Sequence, residues 1–446
     1  MINRLLIANR GEIARRIIRT CKQLNIETIA IYSEADKDTL FVKEADESYL
    51  VGGNRVQESY LNVDKIFEIA KEANVDAIHP GYGFLSENAS FANRCFKENI
   101  TFIGPSPEII DLMGDKIAAR KTMKQAGVPI VPGTEEAISS VEEAVMYATD
   151  IGYPIMLKAA AGGGGIGMQI VHNNDELVKA FDSNSKRAAN FFGDGSMFLE
   201  KKIEETRHIE FQVLADYHGN VVHLFERECS IQRRNQKVIE EAPSPFVTDI
   251  LRKAMGEASV RATKQINYTN AGTIEFLVDG EGNYYFLEMN TRVQVEHPIT
   301  EETTGIDIVE QQIKIAQGEP LQFKQNDILQ TGHAIEARIY AEDPITFFPS
   351  PGNITHFSLP KGECIRNECA VKEGDQVTPF YDPMISKLIV MGDTRTEAIA
   401  NLKGAVNQFK VEGIKTNIPM IKEIIDYPAY VEGNTTTTFI QDYYQK

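Results

Sequence analysis

The sequence has few of the features that indicate a disulfide-stabilised, membrane-embedded or nucleic-acid-binding protein. Its five cysteines, at Cys21, Cys95, Cys229, Cys364 and Cys369, are odd in number and form no C-x-x-C pair, which argues against a disulfide framework or a zinc site. No apolar run reaches the roughly 18 residues of a membrane span, and the first apolar stretch is too short for a signal peptide. The net charge of −18 argues against binding to nucleic acid or to an acidic membrane. We therefore expect a cytoplasmic protein.

Length and periodicity predict several domains, the first of them a doubly wound one. The 446 residues, 42% of them apolar, are enough for about three domains. Alternating strands and helices are typical of a parallel sheet. The first part of the chain alternates in this way, with strands predicted at 5–8, 28–32, 76–79 and 101–103 and helices at 11–24, 62–73 and 91–97.

The pattern changes after the Pro105-Ser-Pro107 turn. Helices are predicted over 108–127, then a compact α+β unit with strands at 153–157, 168–171 and 197–201 and helices at 141–150 and 175–189. From about Ile203 onward the strands come as hairpins, such as 208–215 with 221–226. We therefore divide the chain into an N-terminal domain at 1–113, a helical linker at 114–130, a small unit at 131–202 and a large α+β part at 203–446.

A glycine-rich stretch, KAAAGGGGIGM at 158–168, contains the spacing G-x-G-x-x-G at Gly162, Gly164 and Gly167. That spacing indicates dinucleotide binding only when a strand precedes it and a helix follows. Here strands are predicted on both sides, and the G-K-[ST] ending of a P-loop is missing. The stretch is therefore interpreted as a hairpin loop whose backbone N–H groups could cover phosphates; a disordered surface loop is the alternative.

Two glutamates are predicted to face each other in the hairpin at 271–290. If its turn is centred on residues 281 and 282, Glu275 lies opposite Glu288. Facing Cβ atoms are about 5 Å apart, so the two charges repel unless a cation lies between them. Because Mg²⁺ prefers carboxylate oxygens together with substrate phosphates, the pair predicts a magnesium site.

The second strand of this hairpin is predicted to continue to His297. Its polar residues would then share one face, and that face contains no Lys, Ser or Thr, unlike an ordinary solvated strand edge, which is the alternative. Pro298 stops the strand. The residues on this face are Glu288, Asn290, Arg292, Gln294 and Glu296.

Four cations are further candidates for anion binding. Lys116, and Lys158 at the start of the glycine stretch, could each contact phosphate oxygens. Lys237 ends the basic stretch QRRNQK, which fits an anionic ligand or, equally, a solvated face. Arg338 lies on a predicted strand whose other face is apolar.

Together these segments resemble biotin carboxylase, the ATP-grasp subunit of biotin-dependent carboxylases such as acetyl-CoA carboxylase. The resemblance implies an ATP-grasp enzyme of α/β and α+β class: an N-terminal doubly wound parallel-sheet domain, a small mobile lid bearing the glycines, and a large C-terminal α+β domain. It covers nearly the full chain and rests on IANRGEIA (7–14), HPGYGFLSEN (79–88), GDK (114–116), the glycine stretch, RHIEFQVLAD (207–216), QRRNQK (232–237), EMNTRVQVEHP (288–298) and KTNIP (415–419).

The resemblance assigns ATP and a divalent metal ion to particular residues. Magnesium or manganese would be bound by Glu275, Glu288 and Asn290. Two positions depart from the family and remove possible nucleotide contacts: Ile166 replaces Lys or Arg, and Asn235 replaces the His of many members. The ATP-binding set comprises Lys116, Lys158, Gly164 and Gly165 at the phosphates, Glu200, Lys201 and Ile203 around the adenine with His208 nearby, and Lys202 and Asn235.

The resemblance also implies the reaction. Lys237, Arg292, Gln294 and Val295 would bind bicarbonate, with Glu296 as its base. Bicarbonate would attack the γ-phosphate of ATP to give carboxyphosphate, which releases CO₂ beside biotin, while Arg338 stabilises the biotin enolate. The implied partners are a separate biotin carboxyl carrier protein, carboxyltransferase subunits and a second copy of the chain, although Glu363 replaces an aromatic residue near the family's dimer interface.

Two other functions are compatible with parts of this pattern. Another ATP-grasp ligase, joining a carboxylate to an amine through an acyl phosphate, could use the same glutamates, lysines and glycines. The stretch from Arg292 to Glu296, with Arg338, favours bicarbonate and a ureido ring instead. A nucleotide sensor without catalysis would be expected to lose one of the metal glutamates or the Arg292 and Glu296 pair, and the sequence keeps them all.

We predict that no lysine of this sequence carries biotin. Carrier domains present their lysine in a Met-Lys-Met turn, and the most similar segment here, Thr122-Met-Lys-Gln125, lies in a predicted helix. Mass spectrometry of the purified chain should therefore find every lysine unbiotinylated, and biotin on Lys124 would contradict the prediction.

Overall fold

The N-terminal domain is a five-stranded parallel sheet with helices packed on both faces. The computed structural model describes residues 1–160 and 167–444. Alternate residues of the first strand enter different cores: Leu5 packs with Ile17, whereas Leu6 packs with Ile66. This confirms the predicted doubly wound sheet, whose order is β3-β2-β1-β4-β5. Its elements are β1 (Arg4–Ile7), α1 (Gly11–Gln23), β2 (Glu27–Ser33), α2 (Leu40–Glu44), β3 (Glu47–Gly52), α3 (Val63–Glu72), β4 (Ala77–His79), α4 (Ala89–Lys97) and β5 (Thr101–Phe102).

Two elements of this domain, α2 and β3, are absent from the sequence prediction. Strand β3 lies at the edge of the sheet; its first four residues alternate between half-buried and exposed positions, and of its six residues only Val51 is buried. An edge strand that buries so little gives only a weak apolar signal. Helix α2 is about one turn long, which is too short for a helical period to be recognised.

A short helical pair connects this domain to a small α+β unit with its own core. The unit is a three-stranded antiparallel sheet, β7-β6-β8, packed against two helices. The two strands that flank the glycine stretch are therefore hydrogen-bonded neighbours, as predicted. The elements are α5 (Pro107–Gly114), α6 (Lys116–Gln125), α7 (Val141–Ile151), β6 (Ile155–Ala159), β7 (Gln169–Val171), α8 (Asn174–Phe192) and β8 (Met197–Lys201).

The C-terminal part is built on an eight-stranded antiparallel sheet, β13-β12-β9-β10-β11-β14-β19-β17. Helix α9 covers one end of it, and α12 and α13 cover the other. Its elements are β9 (Arg207–Ala215), β10 (Val221–Arg233), β11 (Gln236–Ala242), α9 (Asp249–Gln265), β12 (Asn270–Val278), β13 (Tyr284–Asn290), α10 (His297–Thr304), α11 (Ile308–Ala316), β14 (His333–Tyr340), β15 (Gly352–Asn353), β16 (His356–Ser358), β17 (Ile365–Cys369), β18 (Gln376–Val377), β19 (Met384–Gly392), α12 (Arg395–Gln408), β20 (Lys410–Glu412), α13 (Ile418–Asp426) and α14 (Pro428–Val431).

The prediction of one strand from Glu288 to His297 is wrong. Strand β13 ends at Asn290, residues 291–296 form a loop, and α10 begins at His297. Two physical reasons explain the change. After Asn290 the main chain hydrogen-bonds to a side chain instead of to a neighbouring strand, since the Thr291 N–H donates to Glu87 Oε1 at 3.2 Å. Pro298 also lies in the first turn of α10, where its missing N–H costs no hydrogen bond.

None of the helices in the described part of the chain combines the length and the apolar character needed to cross a membrane.

The KTNIP motif stabilises the strand that carries Arg338. Asn417 is fully buried, and its side-chain amide donates to the Arg338 carbonyl at 2.8 Å and accepts from the Tyr340 N–H at 2.8 Å. One amide thus satisfies two main-chain groups of β14 that the neighbouring strand β11 does not reach.

We predict that Asn417→Ala lowers the free energy of unfolding by about 2 kcal/mol or more, because two buried main-chain groups lose their partner. The matched control is Asn434→Ala, at an exposed asparagine of the same domain, which should change stability by less than about 0.5 kcal/mol. Thermal and denaturant unfolding of both variants test this, and equal losses would contradict it.

Candidate active site

A cleft of about 570 Å³ lies between the small unit, α6 and the exposed face of the C-terminal sheet. Within the described residues, its lining includes every predicted site residue except Lys201 and Ile203. Gly164 and Gly165, like Ile166, lie outside the residues that the structure describes. The predicted residues that line the cleft are Lys116, Lys158, Glu200, Lys202, His208, Asn235, Lys237, Glu275, Glu288, Asn290, Arg292, Gln294, Val295, Glu296 and Arg338.

Three glutamates form a row across neighbouring strands of the C-terminal sheet, and two of them, Glu275 and Glu288, line the cleft. Glu275 on β12 faces Glu288 on β13, as predicted, and it faces Glu210 on β9 on its other side. Arg227 on β10 continues the row beside Glu210, with its Nε 2.6 Å from Glu210 Oε1. Because facing like charges repel, this row needs cations close to it.

Lys237 supplies the central cation. Its ammonium Nζ lies 2.5 Å from Glu210 Oε2, 2.6 Å from Glu296 Oε1 and 3.0 Å from Glu275 Oε1. It also donates to Gln294 Oε1 at 3.2 Å. Burial alone would lower the pKa of Lys237, but the three carboxylates raise it well above the ordinary value. The anionic groups that Lys237 contacts in this structure are side chains of the protein itself, and an anionic ligand at Lys237 stays a prediction.

The pKa values of the facing glutamates are shifted in opposite directions. Burial would raise the pKa of Glu275, but Lys237 and His208 hold it well below its usual range. The pKa of Glu288 is raised, first by burial and then by repulsion from Glu275. His208 Nε2 lies 2.9 Å from Glu275 Oε2, and Asn290 Nδ2 donates to Glu275 Oε1 at 2.9 Å. A divalent cation fits this donor set, because it would relieve the repulsion between the facing carboxylates of Glu275 and Glu288.

Glu296 lies between two cations at the end of the loop. Besides Lys237 it contacts Arg338, whose Nη2 is 3.1 Å from Glu296 Oε2. Burial would raise the pKa of Glu296, but Lys237 and Arg338 hold it well below the ordinary value. Arg292, which the predicted strand would place on the same face as Glu296, is not the guanidinium that Glu296 contacts.

Arg292 is held instead by the N-terminal domain. Its Nε lies 2.9 Å from Glu87 Oε2, and its Nη2 donates to Asn290 Oδ1 at 2.7 Å. Burial would lower the pKa of Arg292, and Glu87 more than compensates. Glu87 belongs to the HPGYGFLSEN motif, so the structure explains why this motif, distant in sequence, borders the site.

The other end of the cleft carries lysines suited to phosphate. Lys116 begins α6, where Asp115 caps the helix, and its pKa is lowered by burial and by the neighbouring Lys158. Lys158 is paired with Glu200, which also pairs with Arg120. Both lysines border the open cleft, where oxygens of a phosphate chain could bind.

Two predicted residues do not reach the cleft with their side chains. Lys201 Nζ donates to the carbonyls of Gly152 and Tyr153 at 2.8 and 3.1 Å, at the far side of the small unit. Ile203 follows β8 and is half-buried. A contact of either residue with adenine stays a prediction.

A second cavity of about 350 Å³ joins the cleft at Arg292, Val295, Arg338 and Gln236. Sequence reasoning missed its walls, which include Tyr82, Phe84 and Tyr381. It also missed Glu240, which pairs with Arg338 at 2.5 Å and whose pKa burial raises to about 7. Glu210 was missed as well. It lies two residues after His208 on β9, so the alternation of a strand could have indicated that both side chains share one face.

Three family models match successive parts of the chain. Residues 1–110 match "Biotin carboxylase, N-terminal domain", residues 115–324 match "Carbamoyl-phosphate synthase L chain, ATP binding domain", and residues 336–442 match "Biotin carboxylase C-terminal domain". The second match runs from α6 through the small unit into the C-terminal sheet, so its bounds differ from those of the predicted domains.

Characterised proteins resemble the whole chain. The biotin carboxylase of Halalkalibacterium halodurans is 63% identical, with 99% of this chain and 98% of that protein covered. Biotin carboxylase 2 of Bacillus subtilis is 62% identical, with 99% and 100% covered. A crystal structure of the biotin carboxylase domain dimer of Hydrogenobacter thermophilus 2-oxoglutarate carboxylase, with MgADP, ADP and bicarbonate, superposes with a TM-score of 0.97 at 49% identity, over 99% of this chain and 98% of that one.

Proposed function

The chain belongs to the biotin carboxylase family, and from this premise we propose the part that each residue of the cleft takes. The protein is an ATP-grasp ligase that carboxylates biotin with bicarbonate and ATP, with magnesium as the metal cofactor. The assignment of roles depends on one observation. The carboxylates of Glu275 and Glu296 both lie within hydrogen-bonding distance of the Lys237 ammonium group.

We assign the divalent metal ion to Glu275, Glu288 and Asn290. The support is the facing of the two carboxylates and the contact of Asn290 with Glu275. Bound there, the cation would offset the negative charge of the ATP phosphates during transfer. Lys116 and Lys158 approach the same phosphates from α6 and β6. Both lysines already border the cleft, so they require little rearrangement to bind them.

The adenine is assigned to the stretch from Glu200 to Ile203, together with His208 and Asn235. Lys202, His208 and Asn235 border the cleft beside the end of β8. We further propose that residues 131–202 act as a lid over ATP, with Gly164 and Gly165 at the phosphates. This division is supported by the separate sheet and separate core of that unit.

Bicarbonate is assigned to Lys237, Arg292, Gln294 and Val295, beside Glu296. An ionised carboxylate between two cations is suited to take the bicarbonate proton as the oxygen attacks the γ-phosphorus. The low pKa of Glu296 keeps it unprotonated at neutral pH. Carboxyphosphate formed here releases CO₂, and the departing phosphate then removes the proton from biotin.

Biotin is assigned to the second cavity, with its ureido oxygen near Arg338. Arg338 borders both cavities and remains positively charged, because Glu240 and Glu296 outweigh the cost of its burial. A guanidinium at this junction can stabilise the enolate that forms on the ring. Tyr82 and Phe84 supply apolar wall for the bicyclic ring.

The remaining proposals concern partners and location. We propose that biotin arrives on a separate biotin carboxyl carrier protein, and that carboxyltransferase subunits take the carboxyl group onward. A homodimer is proposed from the dimeric relative, and Glu363, exposed before β17, is the residue that departs from the family at that face. A cytoplasmic location is supported by cysteines that are all free thiols.

We predict that Glu275→Gln and Glu288→Gln each raise the Mg²⁺ concentration needed for half-maximal ATP cleavage, because each removes one of the two facing carboxylates. The matched control is Glu281→Gln, at an exposed glutamate in the turn of the same hairpin, which should leave the metal dependence unchanged. Magnesium titrations at saturating ATP test this, and wild-type metal dependence in both variants would exclude the joint site.

We also predict that Glu296→Gln lowers bicarbonate- and biotin-dependent turnover by roughly 10²- to 10⁴-fold, as expected for loss of a general base. ATP affinity should change little, since the phosphate and adenine groups lie elsewhere. The control is Glu210→Gln, because Glu210 pairs with the same ammonium but does not line the cleft. If both variants lost turnover equally, the loss would come from the charge balance around Lys237 and Glu296 would not be the base.

A further inference from the structure

We propose that Lys387 is a positioning residue for bicarbonate, through which the N-terminal domain fixes the loop at 291–296. The inference rests on the proposed function of that loop. Lys387 lies on β19, directly opposite Arg338 in the β14–β19 register, and its side chain is fully buried. No sequence motif singled it out.

Lys387 connects two parts of the molecule that are distant in sequence. Its Nζ donates to the Val295 carbonyl at 2.7 Å and lies 3.2 Å from Glu12 Oε1. Glu12 is on α1 of the N-terminal domain and is itself buried. Val295 directly precedes Glu296 and borders both cavities. The buried ammonium therefore ties the main chain of the loop to the first helix of the protein.

The contacts of Glu12 extend to the wall of the second cavity. Glu12 Oε1 also accepts a hydrogen bond from the Tyr82 hydroxyl, and Tyr82 lines that cavity. A continuous set of contacts thus joins Tyr82, Glu12, Lys387 and Val295. Its two ends are the wall of the proposed biotin cavity and the proposed bicarbonate loop.

The loop is held at three points, two of them by the N-terminal domain directly and the third by Lys387 of the C-terminal sheet, which Glu12 of the N-terminal domain contacts. At its start, Glu87 contacts the Thr291 N–H and the Arg292 guanidinium. In its middle, Val293 is fully buried in the same core as α1. At its end, Lys387 holds Val295. Because the proposed bicarbonate ligands lie between the first and last of these points, loss of one anchor should loosen the anion site more than the ATP site.

The first test is Lys387→Met, which keeps the length of the side chain and removes its charge. A lost charge-assisted hydrogen bond corresponds to a change of about ten-fold or more, so we expect the KM for bicarbonate to rise by at least about ten-fold. The KM for ATP should stay within about two-fold, because the phosphate lysines and the adenine stretch do not contact Lys387.

The matched control is Arg252→Met. Arg252 also joins a buried glutamate to a main-chain carbonyl, with Nη2 2.8 Å from Glu226 Oε1 and 3.0 Å from the Val247 carbonyl, and it lines neither cavity. It should lower the melting temperature and leave the KM for bicarbonate unchanged. If both variants raised that KM equally, Lys387 would have only a structural role and the inference would be overturned.

Glu12→Gln and Lys387→Arg complete the test. Lys387→Arg keeps the charge and the donors, so it should restore the KM for bicarbonate to within about three-fold of wild type. Glu12→Gln removes the anchor of Lys387, and adding it to Lys387→Met should raise the KM no further, because both residues act through Val295. Additive effects would contradict the proposed coupling.

Two further outcomes are decisive. Should Lys387→Met fail to fold, Glu12→Gln decides alone: an increased KM for bicarbonate at an unchanged KM for ATP supports the coupling, and a wild-type KM overturns it. Absence of bicarbonate- and biotin-dependent ATP cleavage in the wild-type protein would instead refute the proposed function, so the two failures are distinguishable.

Discussion

The site depends on one buried ammonium group. Lys237 is within 3.0 Å of oxygens of Glu210, Glu275 and Glu296, which could not remain ionised side by side without it. Removing one member of a buried charge cluster typically costs about 3–5 kcal/mol, because the remaining charges lose their partner. The cluster is therefore both a constraint on the fold and the reason why Glu296, the proposed base, stays ionised at neutral pH.

This constraint explains why the sheet is built as it is. Glu210, Glu275 and Glu288 share one row of neighbouring strands, and Lys237 reaches the row from β11, across β10. Without nearby cations such a row would destabilise the sheet, because like charges face each other. Glu288 lies at the edge of this row and lines the cleft, and its pKa is raised by burial and by repulsion from Glu275.

The N-terminal domain contributes to the site mainly by holding residues of the C-terminal part in place, and less by supplying ligands itself. Its nucleotide-like topology suggests a binding site at the turn after β1, yet the residues there serve the C-terminal half of the protein. Glu12 and Glu87 contact Lys387 and Arg292, which belong to the C-terminal part. The motifs IANRGEIA and HPGYGFLSEN thus make physical sense as anchors of a loop at the domain junction.

The sequence by itself determined the elements and the chemistry that depend on local periodicity. The parallel sheet, the strands around the glycine stretch and the facing of Glu275 with Glu288 all follow from patterns within a few residues. The set of site residues came largely from the family resemblance. Alternation failed beyond Asn290, because the path of the chain there is set by contacts with Glu87 and Lys387 rather than by a neighbouring strand.

Only the tertiary structure decided which charges meet. Glu296 pairs with Lys237 and Arg338 instead of Arg292, and Arg292 pairs with Glu87, a residue about 200 positions away. No local pattern contains these pairings, because burial removes water as the partner of every charge and each group must then find an opposite charge among its neighbours in space. The family resemblance, with the spacing of a few residues such as Glu275 and Glu288, indicated the components of the site, and the packing of the N-terminal domain against the C-terminal sheet specified their partners.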